Sequence, residues 1–356
     1  MIDKLQNAKI YANKFRYVGD VLDDNYKINS EIYHEIISNL SHQNLEISPQ
    51  ITPSLSNSLN RVSNRLKLPL DTNSAFIYPS EEIQATSLST GFDQTILRFS
   101  SGLINLLDEN EIEFIIGHEL GHFLLNHGPH DHNGKEVNLQ SFMKSRYQEI
   151  SADRIGLIAC ESIDSAIRAM FKLISGLNAE HLRFDVTKFI GQINKPKYSY
   201  SEENIYSSHP SNLFRCRALL WFSLTDVITR GSNYYKKEDM KKLDQRIKKD
   251  LEDFIDGPIL NKIKEAKKNY KLWIATENIT KDGVFDKDEQ AVFQNMFNKN
   301  VMDQLVVFLR GLSPLEINKV ISKKIEDAKS EIQYLIPDTY KEEISKIVKE
   351  IRSCFN

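Results

Sequence analysis

Residues 114–125 read Phe-Ile-Ile-Gly-His-Glu-Leu-Gly-His-Phe-Leu-Leu. An α-helix turns about 100° per residue, so side chains four apart share a face about one turn apart. His118 and His122 therefore aim two imidazoles at one point. Ile115, Ile116, Leu120, Phe123 and Leu124 make the helix apolar on most sides, which places it inside a fold. Polar groups buried there without partners are costly. Two readings compete. The histidines are core groups satisfied by neighbours, or they fill half of a tetrahedral zinc shell. Glu119, beside the first of them, has the reach to a water at such a metal.

Composition narrows the setting. The chain has 356 residues and a net charge of −3, so two domains are expected and nothing points to nucleic acid or an anionic membrane. Cys160, Cys216 and Cys354 are odd in number and widely spaced. They suggest neither a disulfide framework nor a metal site, and favour a reducing compartment. The first residues lack the charged-then-apolar pattern of a leader, and no run of about 18 apolar residues offers a membrane span. The expectation is a soluble, cytoplasmic protein.

Residues 1–50 are polar, with a helix expected over 30–40 behind Ser30 as N-cap. Leu55, Leu59, Val62 and Leu66 predict an amphipathic helix over 54–66. Strands are expected at 75–78, 85–88 and 95–99, then a helix over 102–107. Asp108 to Glu111 form an acidic first turn for the motif helix. After Asn126 comes a His-, Gly- and Pro-containing stretch read as a loop. His127 stands five residues after His122; on a continuing helix it faces elsewhere, so it is not counted as a ligand.

Glu149 and Asp153 again lie four apart, on one helical face. They belong to a charged surface helix, or Glu149 is a third, oxygen ligand and Asp153 orients a ligand histidine, His118. Three protein ligands and one open position mark a catalytic zinc site, whereas structural sites are closed by four. Ala152 and Gly156 between and after the acids fit close packing against the motif helix.

His118-Glu119-Leu120-Gly121-His122 followed by Glu149-Ile150-Ser151-Ala152-Asp153-Arg154-Ile155-Gly156 resembles the HtpX-like gluzincins, a metallopeptidase family that includes the CAAX prenyl endopeptidases and the mitochondrial Oma-type proteases. Asn73-Ser74-Ala75-Phe76 and the strand before Gly102 resemble the family's substrate-side β region. Ser208-His209-Pro210-Ser211 with Arg215 resembles its His-Pro element and downstream arginine. The likeness covers roughly residues 50–225. Family members with membrane spans differ from this chain in that respect.

The resemblance implies an α+β, predominantly α fold: a gluzincin-type zinc protease domain with a small antiparallel sheet, followed by an α-helical domain. The sheet's edge strand would take substrate as an added strand. It implies one zinc per chain held by His118, His122 and Glu149, with Glu119 as general base. His209 would assist the oxyanion, although a His-Pro step is also an ordinary helix start. Arg215 would steady the site, or it is a surface charge.

The expected domains are 1–50, 51–232 and 233–356. The lysines and acids of 236–268 read as a solvated helix face. Residues 278–289 parallel an EF-hand calcium loop, with Asn278, Thr280, Asp282, Asp286 and Glu289 as oxygen donors. The other reading is an Asp-Gly turn before an acidic helix start, similar to a turn of TerB-like helical domains. Two functions remain open: a zinc endopeptidase acting on soluble polypeptides, or a zinc-containing binding protein whose C-terminal helices contact a partner protein.

Overall fold

The structure is a computed structural model, and it describes residues 2–20, 30–89, 93–128, 139–194, 212–281, 287–337 and 339–355. The chain divides into two units, residues 1–135 with 142–254 and residues 136–141 with 255–356.

The first unit begins with α1 (Ile2–Asn13) and α2 (Ser30–Gln43), then β1 (Leu45–Glu46) and α3 (Pro53–Arg65). Pro53 opens α3 at a position where its missing N–H costs nothing, and Leu59, Val62 and Leu66 bury its apolar face. The sheet continues through β2 (Asn73–Tyr78), β3 (Ala85–Ser89) and β4 (Thr95–Ser100). The order in space is β1-β2-β4-β3. It is a mixed sheet and not the antiparallel one expected, because β2 and β4 pair in parallel from Asn73↔Thr95 to Tyr78↔Ser100. The connection between those two strands contains β3, which doubles back antiparallel on the far side of β4.

Ser100 then caps α4 (Ser101–Leu106), its side chain accepting from the Leu103 N–H at 3.2 Å. Next comes α5 (Glu109–Leu124), buried along nearly all its length. Its start is a reciprocal capping box. Asp108 accepts from the Glu111 N–H at 3.0 Å and Glu111 accepts from the Asp108 N–H at 2.9 Å. Glu111 also takes Lys172 Nζ at 2.5 Å and Arg168 Nε at 3.2 Å. Those two cations lie on α7 (Ile163–Ser175), which follows α6 (Leu139–Cys160). At the same end, Glu113 accepts from Arg61 at 2.6 Å and Arg65 at 2.5 Å on α3. The first turns of α5 are thus fastened by ion pairs to helices on either side. This leaves the motif residues one turn further on in a fixed frame.

The unit is completed by α8 (Val186–Ile190), α9 (Asn212–Ser223), α10 (Asp226–Thr229) and α11 (Lys237–Leu251). The helix α11 lies in the charge run read as a solvated face, beyond the expected boundary at residue 232. It belongs here because two of its acids are buried against arginines: Asp244 Oδ1 takes Arg154 Nη2 at 2.6 Å, and Asp250 pairs with Arg217. Residues 14–20 are likewise part of this unit. Phe15 and Tyr17 are 1% exposed, and Arg154 Nη1 donates to the Phe15 carbonyl at 3.2 Å.

The second unit is helical among its described residues: α12 (Gly257–Thr280), α13 (Lys287–Phe297), α14 (Lys299–Leu309), α15 (Pro314–Leu335) and α16 (Tyr340–Phe355). Tyr270, Ile274, Phe293, Ile321, Ile332 and Ile351 form its core. Its ion pairs, Lys267–Glu343 and Lys271–Glu350, are both 2.7 Å and lie at the surface, where such pairs contribute little.

Candidate metal centre

Two helices carry the site, and small residues let them touch. A Cβ on Gly117 of α5 would stand 2.3 Å from the Ala159 Cβ of α6, and one on Gly121 would stand 3.0 Å from the Ile155 Cβ. That proximity brings Glu149 of α6 over the histidines of α5. His118 Nε2 and His122 Nε2 are 3.1 Å apart. Glu149 Oε2 is 3.6 Å from the first and Oε1 is 3.4 Å from the second. The two histidines and Glu119 each keep 8% exposure, while Glu149 and Asp153 keep 2%. No hydrogen bond or ion pair to a described residue engages the Glu119 carboxylate.

The outer ring nitrogens decide where the protons are. His118 Nδ1 is 3.0 Å from Asp153 Oδ1. An ionised carboxylate only accepts, so this nitrogen carries the hydrogen. Asp153 is held in turn by Arg215, whose Nε and Nη2 donate to it at 2.8 and 2.6 Å; Arg215 Nη1 is 3.1 Å from Glu149 Oε2. Burial would raise the Asp153 pKa, but the Arg215 charge and hydrogen bonds outweigh it and hold it below the usual carboxylate range. Burial acts to lower the His118 pKa, yet the Glu149 charge and the Asp153 hydrogen bond carry it above the ordinary imidazole value. The same two acids raise the Arg215 pKa against its burial.

His122 is supported differently, by His127. Their Nδ1 atoms are 2.8 Å apart, and His127 Nε2 is 2.9 Å from Asp20 Oδ2. Asp20 accepts, so His127 Nε2 carries a hydrogen. Burial lowers the His127 pKa to about 4, leaving the ring neutral and its Nδ1 bare. A His122 that offers Nε2 to a metal carries its hydrogen on Nδ1, in place to donate to His127 Nδ1. Burial works to raise the Asp20 pKa, but the His127 hydrogen bond and the charge of Arg16 keep it low.

His127 reaches this place because α5 ends in a Schellman turn. The His127 N–H donates to the His122 carbonyl at 2.9 Å and the Asn126 N–H to the Phe123 carbonyl at 3.1 Å. Asn126 takes the left-handed conformation, φ 55°, which asparagine tolerates better than most residues. The reversal brings the side chain at the second position past the cap back over the third-last residue of the helix. Sequence reasoning extended the helix and turned His127 away. The available signal was an asparagine directly after the last apolar residues.

The His118 and His122 Nε2 atoms and the Glu149 carboxylate converge on one point, an arrangement that a shared cation stabilises. Two imidazole nitrogens and a carboxylate oxygen are the ligand set of one class of catalytic zinc site. The residues fit such a metal, and the grouping of His118, His122 and Glu149 has its ligand atoms within 4.8 Å of one another.

Other expected site residues fare variously. Arg215 is in place against Asp153 and Glu149. His209 lies outside the described residues. The calcium loop does not begin where expected: α12 runs through Thr280. The Asn278 and Thr280 side chains fold back onto the helix, donating to the Ile274 and Thr276 carbonyls, each at 2.8 Å. Asp282 and Asp286 are outside the described residues, and Glu289 is in the first turn of α13.

A mostly helical fold around such a donor set is that of a metalloprotease-class domain. Comparison with known proteins agrees: residues 49–142 and 133–221 match Peptidase family M48, and the chain carries a domain of that family, of the HtpX-like kind. It is similar to the Protease HtpX homolog of Desulforapulum autotrophicum, 33% identical over 81 residues that make up 23% of this chain and 26% of that one. It is also similar to the Metalloprotease YcaL of Escherichia coli, 26% identical over 117 residues, 32% of this chain and 43% of the other. The chain thus spans less than half the length of either relative. No solved structure matches. No helix among the described residues is long and apolar enough to cross a membrane.

Proposed function

We propose that the protein is a zinc-dependent endopeptidase acting on soluble polypeptides. The observation that carries this reading is the convergence of His118 Nε2, His122 Nε2 and Glu149, 3.1–3.6 Å apart, beside a Glu119 that no described residue engages. His118, His122 and Glu149 would hold the zinc, one ion per chain. When bound, zinc polarises a scissile carbonyl and acidifies a water. Glu119 would take that water's proton and pass it to the leaving amine. Asp153 and Arg215 keep His118 and Glu149 in position. By the family resemblance, His209 would steady the oxyanion.

Substrate placement has support in the sheet. Among the described strands β3 stands at one end of the sheet order, and it lies against α5. An extended peptide added along that edge would meet the site. Cys160, Cys216 and Cys354 are free thiols, which supports a cytoplasmic setting.

The test is a pair of substitutions. Glu119→Ala should retain one zinc per chain while cleavage of a peptide library falls by about 10²–10⁴-fold. His118→Ala should lose both. Wild-type cleavage should vanish with chelator and return with zinc. An active Glu119→Ala protein would overturn the reading, and zinc-loaded wild type that cleaves no peptide would favour a binding protein instead.

A further inference from the structure

The N-terminal segment outside the family match reaches the metal site. Residues 14–20 are fixed along α6. The Tyr17 N–H donates to Ser151 Oγ at 3.0 Å, Arg154 holds the Phe15 carbonyl at 3.2 Å, and the Val18 N–H donates to Asp244 Oδ2 at 3.1 Å. Arg16 donates to the Leu125 carbonyl at the end of α5 and to Asp20 Oδ1 at 3.2 Å. Side chains of Asp20 and His127 are 0% and 1% exposed. None of these contacts is explained by packing alone. A buried carboxylate 107 residues away in sequence is aimed at His127, and His127 is aimed at the outer nitrogen of His122.

We propose that Asp20 and His127 are positioning residues for the metal ligand His122, so that the N-terminal segment is a working part of the metal centre. The inference rests on the zinc reading above. Asp20 fixes which nitrogen of His127 carries its hydrogen. His127 then accepts from His122 Nδ1, which keeps the His122 Nε2 lone pair pointed at the metal. Outer partners of this kind orient the ring and make it a stronger donor.

The experiment uses the full chain and measures metal binding as well as cleavage. Zinc affinity is read by competition with a chromophoric chelator, and Co²⁺ is substituted to report ligand geometry through its visible bands. Asp20→Asn keeps the shape and removes the charge; it should weaken zinc binding by about 10–100-fold and shift the Co²⁺ bands. His127→Phe should do the same, and adding Asp20→Asn to it should change nothing further. A purely structural loss would lower the melting temperature and leave the Co²⁺ bands in place. Zinc affinity and Co²⁺ bands in Asp20→Asn equal to those of wild type would overturn the proposal. Failure of the endopeptidase reading looks different: a wild type that binds zinc without cleaving still shows the Asp20 effect, whereas a wild type that binds no zinc removes both.

Discussion

The two histidines proposed as ligands sit one turn apart on the same helix, yet their outer supports are opposites. His118 leans on charge: Asp153, doubly held by Arg215, which also touches Glu149. His122 leans on a neutral ring, His127, with the carboxylate of Asp20 one step further out. The first support comes from α6 and α9, within the family match; the second comes from His127 in the helix's own terminal turn, also within the match, and from Asp20 outside it. One histidine is thus supported wholly from inside the matched region, and the other partly by a segment that precedes it. A catalytic centre can take two equivalent ligands and stabilise them by unrelated means.

The largest test of this contrast is Arg215→Met. It leaves Glu149 and Asp153 buried without their cation, and uncompensated buried charge costs about 3–5 kcal/mol. The metal-free variant should melt far below wild type in thermal unfolding. Zinc should recover much of the gap, because it supplies the missing positive charge. A variant that melts like wild type would show that the arginine is dispensable.

Acid and base should strike the two sides in opposite directions. The folded pKa of His127 is depressed from 6.5 to about 4. Its contribution to stability is therefore complete above pH 6.5 and is lost as pH falls toward about 4, roughly 3 kcal/mol in all. The folded pKa of His118 is raised. Its contribution is complete below the ordinary imidazole value and is lost as pH rises through the folded value. Melting of metal-free wild type against pH should show both limbs, and His127→Phe should flatten only the acid one.

The smallest effect sharpens the comparison at equal chemistry. Asp153→Asn should weaken zinc binding by about 10–100-fold, as for Asp20→Asn, but Asp153 touches its histidine directly and Asp20 does not. The Asp153 variant should therefore lie nearer the upper end of that range in chelator competition.

What could be read from the sequence follows the same division. Spacings of four residues on helices are local, so the shared faces of His118 with His122 and of Glu149 with Asp153 were legible. The apolar wrapping of α5 showed its burial. His127 was misplaced because one left-handed residue, Asn126, ends the helix and reverses the chain. Asp20 left no signal, since nothing local marks a carboxylate for a partner 107 residues on. Asp244 and Asp250 were hidden in a charge run most of whose lysines are exposed. The parallel pairing of β2 with β4 depends on where β3 folds back, which alternation of side chains does not encode.

The glycine seam between α5 and α6 has a consequence for metal choice. With Gly117 and Gly121 pressed on Ala159 and Ile155, the helix spacing acts as a calliper whose jaws are the histidines and Glu149. Zinc–ligand bonds differ by only about 0.1–0.2 Å between nitrogen and oxygen donors. A single added methyl at Gly117 would wedge the jaws by more than that tolerance. Residues outside the donor set therefore set the spacing between the histidines and Glu149.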